Sequence, residues 1–454
     1  MRLTRLDLTN YRGLRETHIE FDDRLTVITG ENGVGKSSVL DATRTLITKL
    51  WRELGVYRGD TLDFDTDHDV TRGEEAMEAR LAFVLNDQSC QFTAAERRRV
   101  VYENPEYEGG LTQKGKEEAS IEVRDRKLLT ADAEAVVAEV PDCSRKTLLR
   151  RGRPKPLALF YSSRRSLYEA EKPRSTVVEN RAAAPFMRAL RSRPLQLLEL
   201  ATWWASEAYI ATLKTDRAAQ AARTLAAMQM AALRAVDTLD GLDVRTKDPE
   251  TGDDVSPTLV ATKGGSELDV RWLSDGERSL LALALDITRR LAQNQPRLKN
   301  PVKNGEAVVL IDELDLHLHP SWQRRIPGVL TSTFERCQFI CTSHSPQIVG
   351  EVPAEQVRRL SAGGGVDDAS LAKGQDYNLI LETVFGDEDR NPEAQALLDR
   401  IFRTLHQRGP DVDSAAVADE AEALIEEFEA KYLPKGSEIH RARARLERLR
   451  RLGR

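Results

Sequence analysis

The chain has 454 residues, more than one ordinary domain holds, and at roughly 150 residues per domain two to four structural units are expected. Charged residues make up 31% and apolar ones 40%, which excludes a disordered chain and predicts a folded, water-soluble protein. With 73 acidic against 67 basic residues the formal net charge is −6, so no global positive field recommends nucleic acid, and any such contact has to be local.

Cys90, Cys143, Cys337 and Cys341 give neither a disulfide framework nor a Cys-x-x-Cys metal pattern, which suits a reducing compartment. Met1 to Asp7 carries charges where a secretory signal has its apolar stretch. The most apolar helical stretch, Leu197 to Leu213, is interrupted by Glu199 and Glu207 and is too short for a bilayer. The expectation is a cytoplasmic protein with no membrane partner.

Leu3, Leu6 and Leu8, then Ile19 and Phe21, then Leu25 to Thr29 alternate or run apolar between turn residues and predict three short strands. After Gly35 the spacing of Val39, Leu40, Thr43, Leu46, Ile47 and Leu50 predicts a helix. From Val56 to about Asp142 the chain is polar and irregular, with one strand expected at Ala79 to Leu85 and a Gly/Glu-rich loop around Glu106 to Glu118. Leu157 to Tyr161 reads as a strand, Ser166 to Leu239 as a helical insertion, and Val244 to Arg271 as a hairpin returning to the sheet. Gly276 to Leu291 predicts an amphipathic helix, and Ala307 to Ile311 and Gln338 to Thr342 predict buried strands. From Gly374 onward the pattern is helical, acidic from Asp411 to Glu438 and basic from His440 to Arg454.

Gly30-Glu31-Asn32-Gly33-Val34-Gly35-Lys36-Ser37 satisfies G-x-x-x-x-G-K-[ST] and lies between a strand and a helix, the context that such a phosphate loop requires. The glycines let backbone N–H groups turn inward around a β-phosphate at the helix N-terminus. On this basis Glu31, Asn32, Gly33, Val34, Gly35, Lys36, Ser37 and Ser38 are expected to bind ATP, with Lys36 neutralising the β- and γ-phosphates and Ser37 offering its hydroxyl to Mg²⁺. The apolar run ending at Ile311 leads directly into Asp312-Glu313, where acids are costly unless they face a cation. Asp312 is expected to hold Mg²⁺ and Glu313 to polarise the attacking water.

Ser274-Asp275-Gly276-Glu277 opens the helix that follows. The Ser and Glu spacing is that of a capping box, and a Ser hydroxyl with an open Gly backbone at a helix start is also a second phosphate site. One chain cannot aim both helix starts at one nucleotide, so two chains facing each other are implied. Ser343-His344-Ser345-Pro346 follows a core strand, where a γ-phosphate sensor would sit. His317 and His319 lack a third ligand at suitable spacing, and a loop contacting a partner protomer is preferred to a metal pair.

These motifs, together with Asn10-Tyr11-Arg12-Gly13, resemble the ABC-type ATPases of the SMC and RecF branch over about residues 1–60 and 265–360. The resemblance implies an α/β fold: a P-loop ATPase head with mixed β-sheet, split into residues 1–160 and 244–365 by a helical insertion at 161–243, and followed by a helical module at 366–454. It implies an ATP-sandwiched homodimer in which Ser274, Asp275, Gly276 and Glu277 complete the partner's site, with Arg12 matching an arginine that reaches the nucleotide. More narrowly, Asp312-Glu-Leu-Asp-Leu-His-Leu-His-Pro, His344-Ser-Pro-Gln and Gly374-Gln-Asp-Tyr-Asn resemble the stand-alone ATPases of Septu and retron anti-phage systems, such as PtuA. Those are implied to work with a separate nuclease, of HNH type for Septu. The chain after His344 reads as helices without a Toprim domain, so no nuclease of its own is expected. A RecF-like repair ATPase, a nucleotide-locked scaffold, and direct DNA contact through the basic tail stand as alternatives.

Overall fold

The computed structural model describes residues 1–59, 61–97, 154–163, 183–368, 392–406, 414–431 and 437–452. The expected loop at Glu106 to Glu118 and the Gly374 motif lie outside the described residues. The chain divides into two compact units, Met1–Phe385 and Gly386–Arg454.

The first unit opens with β1 (Arg2–Tyr11), β2 (Leu14–Glu20) and β3 (Leu25–Thr29), followed by helix α1 (Lys36–Leu54). A second hairpin, β4 (Ala76–Leu85) and β5 (Gln88–Arg97), joins the first in an antiparallel sheet of order β2-β1-β4-β5. Its turn is Asn86-Asp87, both at positive φ, the conformation that matches the twist of the flanking strands. Only the β4 half shows as an apolar run in the sequence.

The central sheet has the order β13-β12-β3-β11-β10-β6, formed by β6 (Ala158–Tyr161), β10 (Val308–Ile311), β11 (Gln338–Thr342), β12 (Val357–Leu360) and β13 (Val366–Asp368) around β3. All its pairings are parallel except that of β12 with β13. Every residue of β3, β6, β10 and β11 is buried, because helices and the antiparallel sheet cover both faces, and this is why these strands read as unbroken apolar runs.

Val244 to Arg271 departs from expectation. Its strands β7 (Gly241–Lys247), β8 (Asp254–Lys263) and β9 (Ser266–Asp269) form a three-stranded antiparallel sheet of their own and do not join the central sheet. Helices α2 (Leu197–Thr212) and α3 (Ala218–Ala235) pack together, and both also pack on α4 (Asp275–Asn294). The predicted amphipathic helix is α4, but from Ser279 to Ala292 it is buried on all sides. Its charged residues Asp286, Arg289 and Arg290 face an internal ion network in place of water.

Cys90 is disulfide-bonded. Cys337 and Cys341 are in the core, and burial pushes the Cys337 thiol up to about 12. Helix α5 (Pro320–Thr333) completes the labelled elements of the first unit.

In the second unit α6 (Pro392–His406), α7 (Ser414–Lys431) and α8 (Ser437–Leu452) pack about Leu398, Ile401, Leu424, Ile425, Ala442 and Leu446. Among the described residues no helix is long and apolar enough to cross a membrane.

Candidate nucleotide site

The phosphate loop leaves the C-terminal end of β3 and enters α1, the position where an open parallel sheet places ligands. Gly30 has φ 141°, and a Cβ there would strike the carbonyl oxygen of Leu360. Gly35 has φ 106°, and a Cβ would approach Leu14 Cδ2 to 2.9 Å. The loop therefore fits between β12 and the first hairpin only without side chains at these two positions. Glu31, Asn32, Gly33 and Ser37 are exposed, and Val34, Gly35 and Ser38 are partly so. Helix α1 starts without a side-chain cap and without an acid in its first turn, which leaves its N–H groups open to an anion.

Lys36 is buried, and its Nζ donates to the carbonyls of Gly30 at 2.9 Å and Glu31 at 2.6 Å. Burial lowers its pKa to about 8, with Asp312, Asp315 and Glu313 pulling the other way. Lys36 is therefore a cation held close to its titration point.

Asp312 is buried just beyond β10, its backbone N–H donating to the Tyr161 carbonyl at 2.8 Å. The Ser37 hydroxyl donates to Asp312 Oδ1 at 3.0 Å, and the Thr342 hydroxyl donates to the same oxygen at 2.7 Å. Thr342 Oγ1 in turn accepts the Glu313 backbone N–H at 2.8 Å. Glu313 adopts φ 50°, a left-handed conformation that a non-glycine residue takes only where its surroundings hold it. A hydroxyl and a carboxylate in contact are hard oxygen donors of the kind Mg²⁺ uses, so the donor set fits that ion.

His344 follows β11. Its backbone N–H and the Ser343 hydroxyl both donate to Asp315 Oδ1, at 3.2 and 2.6 Å. Burial and then the neighbouring Lys36 charge lower the pKa of its imidazole, so the ring is neutral at pH 7. Arg12, at φ 53° in the first hairpin turn, donates through Nε to Asp69 at 2.8 Å and through Nη1 to Asp41 at 2.9 Å and Ser38 Oγ at 3.4 Å. This brings Arg12 to the first turn of α1, beside the loop. The phosphate-loop residues, Asp312, Glu313, His344 and Arg12 thus converge on one end of the central sheet.

Ser274 and Glu277 do not join them. They form a complete capping box, with the Ser274 Oγ accepting from the Glu277 N–H at 3.3 Å and the Glu277 carboxylate accepting from the Ser274 N–H at 3.1 Å. Burial works to raise the Glu277 pKa, but hydrogen bonds from Lys263, Thr238 and Ser274 outweigh it and hold the value at about 2. Among the described residues no hydrogen bond or ion pair connects Ser274, Asp275, Gly276 or Glu277 with the phosphate loop. Ser274 and Asp275 are exposed, and the His317 carbonyl lies 3.0 Å from where a Gly276 Cβ would be. His319 caps α5, accepting from the Ser321 N–H at 3.3 Å.

Sequence reasoning leaves Asp41, Asp69, Asp315 and Thr342 without roles. Asp315 and Thr342 lie inside conspicuous motifs, Asp312-Glu-Leu-Asp and Thr342-Ser-His-Ser-Pro, and could have been found there. Asp69 follows no local pattern.

Residues 155–350 match the family model "AAA domain, putative AbiEii toxin, Type IV TA system", and residues 1–100 match "AAA ATPase domain". The retron Ec83 probable ATPase of Escherichia coli is 41% identical over 135 residues, which are 30% of this chain and 25% of that protein. Septu protein PtuA of Bacillus thuringiensis is 31% identical over 174 residues, covering 35% of this chain and 42% of PtuA. Over these stretches the chain is similar to the retron Ec83 probable ATPase and to Septu protein PtuA. It spans about a quarter of the first relative's length and two fifths of the second's. Among solved structures, the SMC head domain from Thermotoga maritima aligns with 82% of this chain and 100% of its own, at a TM-score of 0.39 and 15% identity.

Proposed function

We propose that this chain is an ATP-binding and ATP-hydrolysing switch of the ABC and SMC-like kind, acting as the nucleotide-dependent regulatory subunit of an anti-phage complex with a separate nuclease. The observation that carries the reading is the convergence of Lys36, Ser37, Asp312 and Glu313 at one sheet end, from segments 275 positions apart. The defence context rests on the retron and Septu relatives, and a PtuB-like HNH nuclease as partner rests on the resemblance to PtuA.

In this reading the triphosphate of ATP lies on the loop N–H groups and the open start of α1. Lys36 exchanges its bonds to the Gly30 and Glu31 carbonyls for the β- and γ-phosphate oxygens. Ser37 and Asp312 hold Mg²⁺, which supplies neutralisation of the phosphate charge. Glu313, fixed through its backbone by Thr342, orients the attacking water and takes its proton. His344 presents a neutral ring to the γ-phosphate. Arg12 approaches from the first hairpin.

Ser274, Asp275, Gly276 and Glu277 close the site of a second copy, giving an ATP-sandwiched homodimer that can build into larger assemblies. Exposure of Ser274 and Asp275, away from their own chain's loop, supports this. Mixing two inactive variants tests it. Lys36→Ala and Ser274→Arg each abolish hydrolysis alone, but a mixed dimer retains one intact site, so mixing restores part of the activity. If mixing restores nothing while both variants still dimerise, the in-trans arrangement is wrong.

A further inference from the structure

Helix α8 buries Ile439, Ala442 and Leu446 in the second unit. Arg441, Arg445 and Arg448 follow at i, i+4 and i+7 and so form one stripe, with rises of about 6 and about 4.5 Å between them. Arg441 and Arg448 are exposed and Arg445 is partly so. None of the three has a hydrogen bond or ion pair among the described residues. Arg443 differs: it is paired with Glu429 of α7. Among the described residues the acidic helix beside α8 therefore pairs with Arg443 and with none of the three stripe arginines.

A docking surface for protein carries an apolar or aromatic centre. Here the outward residues beside the stripe are His440, Arg443, Ala444 and Glu447, with no large apolar side chain among those described. Contact with a phosphate backbone needs only charge and hydrogen-bond donors, and Arg supplies both through a planar fork. We propose that the Arg441, Arg445 and Arg448 stripe binds the phosphate backbone of duplex DNA without reading its sequence. The inference rests on the second unit alone, so it stands or falls separately from the ATPase reading.

The test is fluorescence anisotropy of a labelled 30-base-pair DNA duplex of arbitrary sequence with the full chain, from about 50 to 200 mM salt. Replacing all three arginines by Ala should weaken binding at least about tenfold and reduce the slope of log affinity against log salt by about 2.7, the value for three lost phosphate contacts. The exposed unit 1 control Lys214→Ala, Arg223→Ala and Lys247→Ala should change neither. Equal loss in the control, or no loss in the stripe variant, overturns the proposal. So does a wild-type chain that ignores DNA and binds a polyglutamate peptide, because the face then fits an acidic protein. If the Ala variant does not fold, the triple Lys variant decides: it should keep the salt slope, and loss of binding with the charge retained overturns the proposal.

Discussion

The Ser37 hydroxyl meets Asp312 Oδ1 at 3.0 Å although the two residues are 275 positions apart. The contact exists because β11 lies between β3 and β10 in register, pairing Thr342 with Ile28 and Cys341 with Ile311. Thr342 then bonds Asp312 and Glu313 from the intervening strand. Exchanging Asp312 for Asn keeps the shape and removes the charge. The expected outcome is a rise of about ten- to a hundredfold in the Mg²⁺ concentration needed for tight ATP binding, read by titrating Mg²⁺ against a fluorescent ATP analogue. An unchanged Mg²⁺ requirement would remove Asp312 from the metal site.

Glu313 stands one residue further on, its backbone N–H held by the Thr342 hydroxyl. Glu313→Gln should lower hydrolysis by about 10²- to 10⁴-fold, the usual worth of a general base, while ATP affinity stays within a few-fold of the wild type. Sedimentation with Mg-ATP should then show a long-lived dimer. A variant that stays monomeric under these conditions counts against the sandwich.

The phosphate loop, the strands that carry it and the acids at Asp312 and Glu313 were legible because each is a local pattern: a spacing, a period or an apolar run ending in charge. The second antiparallel hairpin was half missed, since β5 (Gln-Ser-Cys-Gln-Phe-Thr-Ala-Ala-Glu-Arg) alternates too weakly to stand out and is held by pairing with β4. Helix α4 misled for a different reason. Asp286, Arg289 and Arg290 have the i, i+3, i+4 spacing of a solvated face, and only the fold reveals that Tyr161, Glu199 and Arg193 wait on the other side. The partners of Arg12 are equally non-local, because Asp69 lies in a connection without periodicity.

Lys36 makes the nucleotide affinity depend on pH. Burial holds its free-state pKa at about 8, and triphosphate, by adding negative charge, raises it on binding. The protonated form is the one that binds, so affinity should be flat below about pH 7 and fall as pH rises through 8 toward 9, approaching tenfold per unit. At pH 8 binding should take up about half a proton, measurable by calorimetry in buffers of different ionisation enthalpy. Proton release, or a pH-independent affinity between 7 and 9, would show that Lys36 does not meet the phosphates.

Tyr161 bridges α4 and the acid-bearing strand: its hydroxyl donates to Asp286 of α4 at 3.0 Å, and its carbonyl receives the Asp312 N–H at 2.8 Å. Burial works to raise the Asp286 pKa, but Arg290, Arg289 and Arg193 outweigh it and hold the carboxyl well below its ordinary 3.8. A depressed carboxyl pKa adds stability that is complete above about pH 4 and is lost as pH falls toward the folded-state value. Tyr161→Phe removes one donor and should cost about 1–3 kcal/mol, with the fold retained. Asp286→Ala leaves the buried Arg290 without its carboxylate, while Arg289 and Arg193 keep Glu199, and should cost about 3–5 kcal/mol. Urea unfolding of the first unit at pH 7 should order the variants in that way. Repeated at pH 3, it should show the gap between wild type and Asp286→Ala narrowing, because the acid shrinks the Asp286 contribution in the wild type alone. A gap that widens toward low pH would mean that the carboxyl is protonated in the folded protein and that its arginine partners do not hold it ionised.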